Sequence, residues 1–176
     1  MWMSYMKQLK VIQGDITQFQ GDAIVNAANT TLMGGGGVDG AIHRAAGPAL
    51  YAACEKFHGC PTGEARITSG FNLPAKYIIH TPGPIWRGGN SGEPQLLANS
   101  YQNSLRLADR YGCQTVAFPS ISTGVYAYPL GKAAAIAVQT IQKFMVEARN
   151  IREVTMVCFD TKAFQAYQDQ VEHRLP

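Results

Sequence analysis

The chain has 176 residues, of which 46% are hydrophobic and 15% are charged, so it is long enough for one globular domain with a full core. Its formal net charge of +3 is too small to indicate nucleic-acid wrapping, and its lysines and arginines form no basic run. No apolar run reaches the ~18 residues of a membrane span, and the N-terminal segment lacks a signal-peptide core. We therefore expect a cytoplasmic protein with no membrane partner.

Strands and helices are predicted to alternate along the chain, after a loose extension over residues 1–8. Buried-type apolar runs predict strands at Leu9–Gln13, Asp22–Ala28, Ala65–Thr68, Tyr77–Thr81, Thr115–Phe118 and Val154–Phe159. Apolar residues at helical spacing predict helices that contain Val38–Ala45, Leu50–Phe57, Leu97–Ala108, Ala133–Met145 and Phe164–Val171. This alternation predicts one α/β domain over residues 9–176, with helices on both faces of its sheet.

Unusual loops follow four of the predicted strands. They are the GDIT segment at residues 14–17, the glycine run at 34–37, the SISTGVY segment at 120–126, and Asp160. Ligands of α/β sheets bind outside the carboxyl ends of the strands. We therefore expect the four loops to converge on one cleft.

The glycine run is the most informative of these loops. Four consecutive glycines permit positive φ angles and allow a ligand to approach the main chain. A glycine loop that leads into a helix presents free N–H groups and the positive end of the helix dipole, which together favour an anion. Asn26, Asn29 and Asp39 flank this loop and can bind hydroxyl groups. The pattern therefore predicts a ligand that contains phosphate and sugar.

Two better-known nucleotide motifs do not account for this loop. A G-x-G-x-x-G pattern begins at Gly35, but Asn29–Met33 separate the glycines from the preceding strand. The acidic residue ~20 positions further on is Glu55, inside a predicted helix. The P-loop pattern does not occur in the sequence. A nicotinamide-dependent oxidoreductase is therefore disfavoured.

The cysteines raise the question of a metal site. No C-x-x-C pair occurs, although Cys54, His58 and Cys60 are close in sequence. These three residues lie at a helix end beside a glycine and a proline, without the fourth ligand and fixed spacing of a zinc site. We expect reduced, metal-free cysteines, with buried thiols and a surface loop in this region.

A set of five separated segments carries a recognisable pattern. The segments are GDIT at 14–17, NAAN at 26–29, GGGGVDGAIHRAAG at 34–47, HTPGP at 80–84 and SISTGVYAYP at 120–129. In this order and spacing they resemble the macrodomain family, and more narrowly its MacroD-type branch, which includes bacterial O-acetyl-ADP-ribose deacetylases. The resemblance implies a three-layer α/β/α sandwich around a mixed, mostly parallel sheet. It also implies ADP-ribose in the cleft and no cofactor.

The resemblance assigns roles in binding ADP-ribose. Asp15 would accept a hydrogen bond from the adenine amine with help from the Ile16 amide, Phe159 would lie against the adenine face, and Tyr126 would pack on the distal ribose. Amides of two loops would hold the diphosphate from both sides: Gly35, Gly36, Gly37 and Val38, and Ser122, Thr123, Gly124 and Val125. From the residues alone, Asp15 could instead cap its loop, and the two aromatic residues could be packing residues.

The resemblance places the chemistry at the distal ribose. Asn29 would bind the ribose hydroxyls and Asp39 would lie beside the scissile ester, with Asn26 and His43 in support. Asp39 and His43 are four residues apart, so they share a helix face. Asp39 could instead be a helix N-cap, and His43 a histidine bonded to backbone at the edge of the core. Because the helix dipole favours a negative charge, we expect Asp39 to have an ordinary, low pKa and to orient water rather than act as a base.

The predicted reaction is hydrolysis of an acyl ester on the distal ribose. The substrate would be O-acetyl-ADP-ribose or ADP-ribose linked to a glutamate or aspartate of a protein, and ADP-ribosylated nucleic-acid ends share the same leaving chemistry. The alternative is a reader module that binds ADP-ribose without turnover. The sequence has no G-x-S-x-G nucleophile elbow, which argues against an acyl-enzyme intermediate.

Overall fold

The computed structural model describes residues 6–173, and within this range six strands and five α-helices alternate along the chain. The strands are β1 (Gln8–Gln13), β2 (Ala23–Ala28), β3 (Arg66–Ser69), β4 (Tyr77–Pro82), β5 (Thr115–Phe118) and β6 (Glu153–Cys158). The helices are α1 (Gly37–Ala46), α2 (Ala49–Glu55), α3 (Glu93–Arg110), α4 (Leu130–Glu147) and α5 (Thr161–His173). A short 3-10 helix (Ile16–Gln18) follows β1.

The strands form one mixed sheet in the order β1-β6-β5-β2-β4-β3. All neighbouring pairs are parallel except β3 and β4, which are antiparallel. Helices α3, α4 and α5 bury Leu97, Ile141 and Tyr167 on one face of the sheet, while α1 and α2 bury Ile42 and Leu50 on the other. The predicted three-layer α/β/α sandwich with a mostly parallel sheet is therefore confirmed.

Some element boundaries differ from the predictions by one or two residues. Helix α2 ends at Glu55, before the predicted Phe57, because His58 (φ 52°) and Gly59 (φ 90°) adopt left-handed backbone conformations. Strand β6 ends at Cys158, one residue before the predicted end.

No helix among residues 6–173 is both long and apolar enough to cross a membrane.

The predicted loose extension over residues 1–8 lies mostly outside the described residues. Within the described range, Gln8 already belongs to β1. Lys7 Nζ donates hydrogen bonds to the carbonyl oxygens of Met145 (2.7 Å) and Ala148 (2.6 Å) at the end of α4. Positively charged side chains are favourable at helix carboxyl ends. Because Lys7 is anchored in this way and Gln8 belongs to a strand, the prediction of a loose extension was wrong for these two residues.

The loop before α3 is anchored by the first residue of that helix. The Glu93 carboxylate is buried and accepts hydrogen bonds from the backbone amides of Arg87 (2.8 Å), Gly89 (3.0 Å) and Ser91 (2.7 Å). Burial opposes ionisation, but these amides outweigh it and lower the pKa of Glu93 to about 2. The ionised carboxylate therefore ties residues 87–91 to the start of α3.

Candidate active site

The four loops predicted to form a cleft emerge side by side from the sheet. They follow β1, β6, β5 and β2, which are consecutive and parallel in the sheet order, so their carboxyl ends share one edge. The loops are the GDIT loop (residues 14–17), the β6 end (residues 159–160), the STGVY loop (residues 122–126) and the glycine loop (residues 34–37). As predicted, they converge on one edge of the sheet.

The GDIT loop and the β6 end lie at the β1 side of this edge. Asp15 Oδ1 accepts hydrogen bonds from Thr17 N (2.9 Å) and Thr17 Oγ1 (2.7 Å), so the carboxylate caps the 3-10 helix. Within the described residues, Asp15 Oδ2 and the Ile16 amide have no partner and stay available to a ligand. The Phe159 side chain is 87% exposed, so the alternative that it packs in the core is wrong.

The glycine loop leads into an uncapped helix. Helix α1 begins at Gly37, and Gly36 at its N-cap offers no side chain to satisfy the first amides. In the described part of the chain, the amides of residues 34–39 donate no hydrogen bond, and Gly34 (φ 93°) and Gly37 (φ 58°) adopt conformations that favour glycine. The loop therefore combines free N–H donors with the positive end of the α1 dipole.

The STGVY loop presents a second set of free amides. Residues 122–126 donate no backbone hydrogen bond to any other described residue. Ser122 adopts a left-handed conformation (φ 68°), and its buried Oγ has no hydrogen-bond partner within residues 6–173. Tyr128 N donates a hydrogen bond to the Ser122 carbonyl oxygen (2.9 Å). Val125, at the tip of the loop, is 98% exposed. Free consecutive amides of this kind are the donors that anion-binding nests use.

Three of the four predicted catalytic side chains meet at one carboxylate oxygen. Asn26 is fully buried in β2, and its Nδ2 donates a 2.8 Å hydrogen bond to Asp39 Oδ1. His43 Nε2 lies 3.4 Å from the same oxygen. Asp39 is the third residue of α1, and Gly36 is the N-cap. The alternative that Asp39 is the N-cap is therefore wrong.

Burial shifts the pKa values of Asp39 and His43 in opposite directions. Asp39 is only 5% exposed, and burial raises its pKa, although the Asn26 hydrogen bond and His43 oppose the shift. The expectation of an ordinary, low pKa was wrong, because it considered the helix dipole and not the desolvation of a buried carboxylate. Burial lowers the pKa of His43, with Asp39 in opposition. The pair therefore combines a neutral imidazole with a carboxylate that binds a proton more readily than an exposed one.

His43 is held by packing and not by hydrogen bonds. Neither of its ring nitrogens has a hydrogen-bond partner among the described residues, which contradicts the alternative of a backbone-bonded histidine. Its ring packs against Tyr51 with a centroid separation of 4.5 Å. Tyr51 is 41% exposed, so the ring that packs on His43 reaches the surface.

Asn29 shapes the glycine loop. Its Oδ1 accepts hydrogen bonds from Thr31 N (3.1 Å) and Thr31 Oγ1 (2.6 Å), and its Nδ2 donates to the Gly34 carbonyl (2.9 Å). The second amide hydrogen of Asn29 has no acceptor among the described residues and is left for a ligand. A methyl group placed on Gly35 would lie 3.2 Å from Asp39 Oδ2 and 3.4 Å from Asn29 Nδ2. The free carboxylate oxygen and the Asn29 amide therefore face the same glycine.

A model of the Macro domain family matches residues 25–137 of the chain. A relative from Cronobacter turicensis, named O-acetyl-ADP-ribose deacetylase, is 53% identical over 165 residues, which cover 92% of this chain and 94% of that protein. The chain belongs to the Macro domain family.

Solved macrodomain structures share its architecture. The Oceanobacillus iheyensis macrodomain with ADP superimposes with a TM-score of 0.90 at 47% identity, covering 95% of this chain and 91% of that one. The Trypanosoma brucei macrodomain in complex with ADP-ribose gives a TM-score of 0.87 at 44% identity, covering 93% of this chain and 68% of that one. Both similarities extend over almost the whole of this macrodomain.

Aromatic side chains line the STGVY loop of this macrodomain. Trp86 N donates to the Tyr126 carbonyl (2.8 Å), and the Trp86 ring packs on Tyr128 with a centroid separation of 4.7 Å. Tyr126 is half-buried, so part of its surface remains accessible. Trp86 was not among the predicted site residues, although a tryptophan just after the HTPGP segment was a usable signal.

Two buried tyrosines support the STGVY loop from beneath. Tyr167 OH lies 2.7 Å from Ser120 Oγ, which in turn lies 2.6 Å from Thr123 Oγ1. The Ile121 amide donates to Tyr101 OH (3.2 Å). Burial raises the pKa of Tyr167 to about 12, so its hydroxyl stays protonated. Tyr167 was predicted to lie in a helix but not beneath the site, because its contact joins α5 to a distant loop.

The cysteines of this macrodomain are free and buried. Within residues 6–173, no group of three or more His, Cys, Asp or Glu side chains could hold a metal ion. Burial, together with the nearby Asp39, raises the pKa of Cys54 to about 11, so its thiol is a poor nucleophile. His58 is exposed, in agreement with the surface loop expected there.

Proposed function

We propose that this macrodomain binds ADP-ribose and hydrolyses acyl esters of its distal ribose. The observation that carries the proposal is the position of a buried carboxylate, Asp39, next to a loop of free amides. Asn26 holds one carboxylate oxygen, and the other faces Gly35 and Asn29. The deacetylase name of the Cronobacter turicensis relative supports the same activity.

The order of the loops along the sheet edge matches the order of groups in ADP-ribose. Asp15 Oδ2 and the Ile16 amide would bind the adenine amine and ring, with Phe159 against the adenine face. The glycine loop and the STGVY loop would hold the diphosphate through backbone amides, which removes the need for a lysine or arginine. Tyr126 would pack against the distal ribose, beside Asp39.

Asp39 would activate the attacking water. Its Oδ2 accepts a proton from water as the water oxygen bonds to the acyl carbon, and the raised pKa makes this transfer more favourable than for an exposed aspartate. The ester bond to the ribose oxygen then breaks, and that oxygen takes the proton from Asp39. The free Asn29 amide hydrogen would bind a ribose hydroxyl and fix the ester beside the water.

The substrate test separates a hydrolase from a reader. The macrodomain is incubated with O-acetyl-ADP-ribose, and separately with a protein mono-ADP-ribosylated on glutamate, while ADP-ribose affinity is measured by calorimetry. Release of ADP-ribose in either reaction supports the hydrolase, and the two rates identify the preferred ester. Tight ADP-ribose binding without release from either substrate would support the reader. ADP-ribosylated nucleic-acid ends can be tested in the same way.

Replacing Phe159 by alanine is expected to weaken ADP-ribose binding by about tenfold, because a stacked adenine loses its aromatic partner at a cost of about 1–3 kcal/mol. The side chain is already exposed, so folding stability should change little. Calorimetry with ADP-ribose and with ribose 5-phosphate measures the effect. A loss confined to ADP-ribose agrees with adenine stacking, whereas an equal loss for both ligands contradicts it.

Replacing Tyr167 by phenylalanine is expected to weaken ADP-ribose binding by about threefold to tenfold. The change removes one buried hydrogen bond, worth about 0.5–1.5 kcal/mol, and frees Ser120 to release Thr123 and the STGVY loop. Tyr111→Phe at an exposed position is the matched control. An affinity in Tyr167→Phe equal to that of the control would show that the hydroxyl does not hold the loop.

A further inference from the structure

His80 lies in a buried hydrogen-bond chain that the proposed reaction does not yet use. It is fully buried in β4 and is paired in register with Asn26 of β2. His80 Nδ1 lies 3.2 Å from Asn26 Nδ2, and His80 Nε2 lies 3.0 Å from Thr68 Oγ1. Burial, reinforced by His43, lowers the pKa of His80 to about 3, so the ring is neutral near pH 7. A neutral imidazole has one donor nitrogen and one acceptor nitrogen.

Thr68 determines which nitrogen carries the hydrogen. A threonine hydroxyl has a single hydrogen, and Thr68 donates it to the Ser69 carbonyl at 3.1 Å. Thr68 Oγ1 can therefore only accept from His80, which places the ring hydrogen on Nε2. Cys54 Sγ lies 3.7 Å from the same nitrogen and is a weak acceptor for the same hydrogen. His80 Nδ1 is then an acceptor for Asn26.

The acceptor on His80 fixes the orientation of the Asn26 amide. Asn26 Nδ2 has two hydrogens, and among the described residues its two acceptors are His80 Nδ1 and Asp39 Oδ1. If the amide group rotated by half a turn, its oxygen would face the lone pair of His80 and the carboxylate of Asp39. Both contacts would be repulsive, so the observed orientation is strongly preferred.

We propose that His80 is a positioning residue for the hydrolysis: its Nδ1 lone pair locks the Asn26 amide, which holds Asp39 Oδ1 and leaves Asp39 Oδ2 directed at the glycine loop. This inference rests on the proposed hydrolase function. His80 itself is fully buried and acts through Asn26. The chain from Thr68 to Asp39 thus connects β3, β4, β2 and α1 in one hydrogen-bonded network.

Two substitutions separate the acceptor from the donor of the ring. His80→Asn places an oxygen acceptor where Nδ1 was and loses the donor to Thr68. His80→Gln keeps a donor near Nε2 for Thr68 and has no acceptor next to Asn26. Both variants leave a smaller polar side chain in the same buried position, so a loss of stability alone does not distinguish them.

The first readout is the separation of turnover from binding. With O-acetyl-ADP-ribose, His80→Asn should keep kcat within about twofold of wild type, whereas His80→Gln should lower kcat by about tenfold. The Kd for ADP-ribose should be unchanged in both variants. Equal losses of kcat in the two variants, or a loss of ADP-ribose affinity that accounts for the change, would overturn the proposal.

The second readout does not require activity. The two side-chain amide protons of Asn26, observed by NMR in the full chain, should keep their chemical shifts in His80→Asn. In His80→Gln, one proton should move upfield and exchange faster with water, because it has lost its acceptor. Unchanged Asn26 signals in His80→Gln would overturn the proposal. A wild type that does not hydrolyse the ester would refute the proposed function, and the NMR comparison would still decide the role of His80.

Discussion

Replacement of Asp39 by alanine is expected to abolish ester hydrolysis while ADP-ribose still binds. The proposed general base is then missing, and general-base catalysis contributes about 10²–10⁴-fold in rate. The adenine and diphosphate contacts do not involve Asp39, so affinity should stay within about threefold of wild type. Steady-state kinetics with O-acetyl-ADP-ribose and calorimetry with ADP-ribose measure the two quantities.

A second substitution isolates the charge of this residue. Asp39→Asn keeps the shape of the side chain and an oxygen that can accept from Asn26, but it cannot take a proton from water. It should therefore lose nearly as much activity as Asp39→Ala. Asp169→Ala on α5 is a control for the removal of an aspartate elsewhere. Full activity in Asp39→Asn would rule out both a base and a charge-based role.

The second large effect is expected at Gly40, where the glycine loop crosses the first turn of α1. A methyl group on Gly40 would lie 2.5 Å from the Gly35 carbonyl oxygen, which belongs to the backbone and cannot rotate away. Gly40→Ala should therefore displace the glycine loop. We expect about tenfold or greater loss of ADP-ribose affinity and a decrease of about 1–3 kcal/mol in the free energy of unfolding.

Gly131→Ala is the matched control for Gly40→Ala. Gly131 lies in α4, and a methyl group there would meet no atom within 4 Å. Because alanine is favoured over glycine in a helix by about 1 kcal/mol, this variant should be as stable as wild type or more stable. Urea denaturation and ADP-ribose calorimetry compare the two. Wild-type affinity in Gly40→Ala would contradict the close packing of the loop against α1.

The sequence predicted the elements of the fold and the sheet edge at which the four loops meet, because both depend on local pattern. Short runs rich in apolar residues predicted each strand to within one residue at either end, and the alternation with helices implied that the loops share one sheet edge. The glycine run predicted free backbone amides, because four glycines before a helix leave its first N–H donors without side-chain caps.

What the sequence could not predict depends on packing between distant segments. The raised pKa of Asp39 follows from the burial of its side chain, and nothing in the local sequence specifies that burial. The contact of His80 with Asn26 depends on the register of β4 against β2. Tyr167 reaches Ser120 across 47 positions of sequence. For the contact of His80 with Asn26, the one signal in the sequence was a histidine within the apolar run YIIHT.

Hydrolysis of O-acetyl-ADP-ribose in water enriched in oxygen-18 tests the central claim most directly. If water attacks the acyl carbon as proposed, each acetate released by the wild type carries one oxygen from the solvent, and the ribose hydroxyl that bore the ester keeps its original oxygen. Mass spectrometry of both products reads this out. Unlabelled acetate, or no acetate at all while ADP-ribose binds, would contradict hydrolysis of the ester by water activated at Asp39.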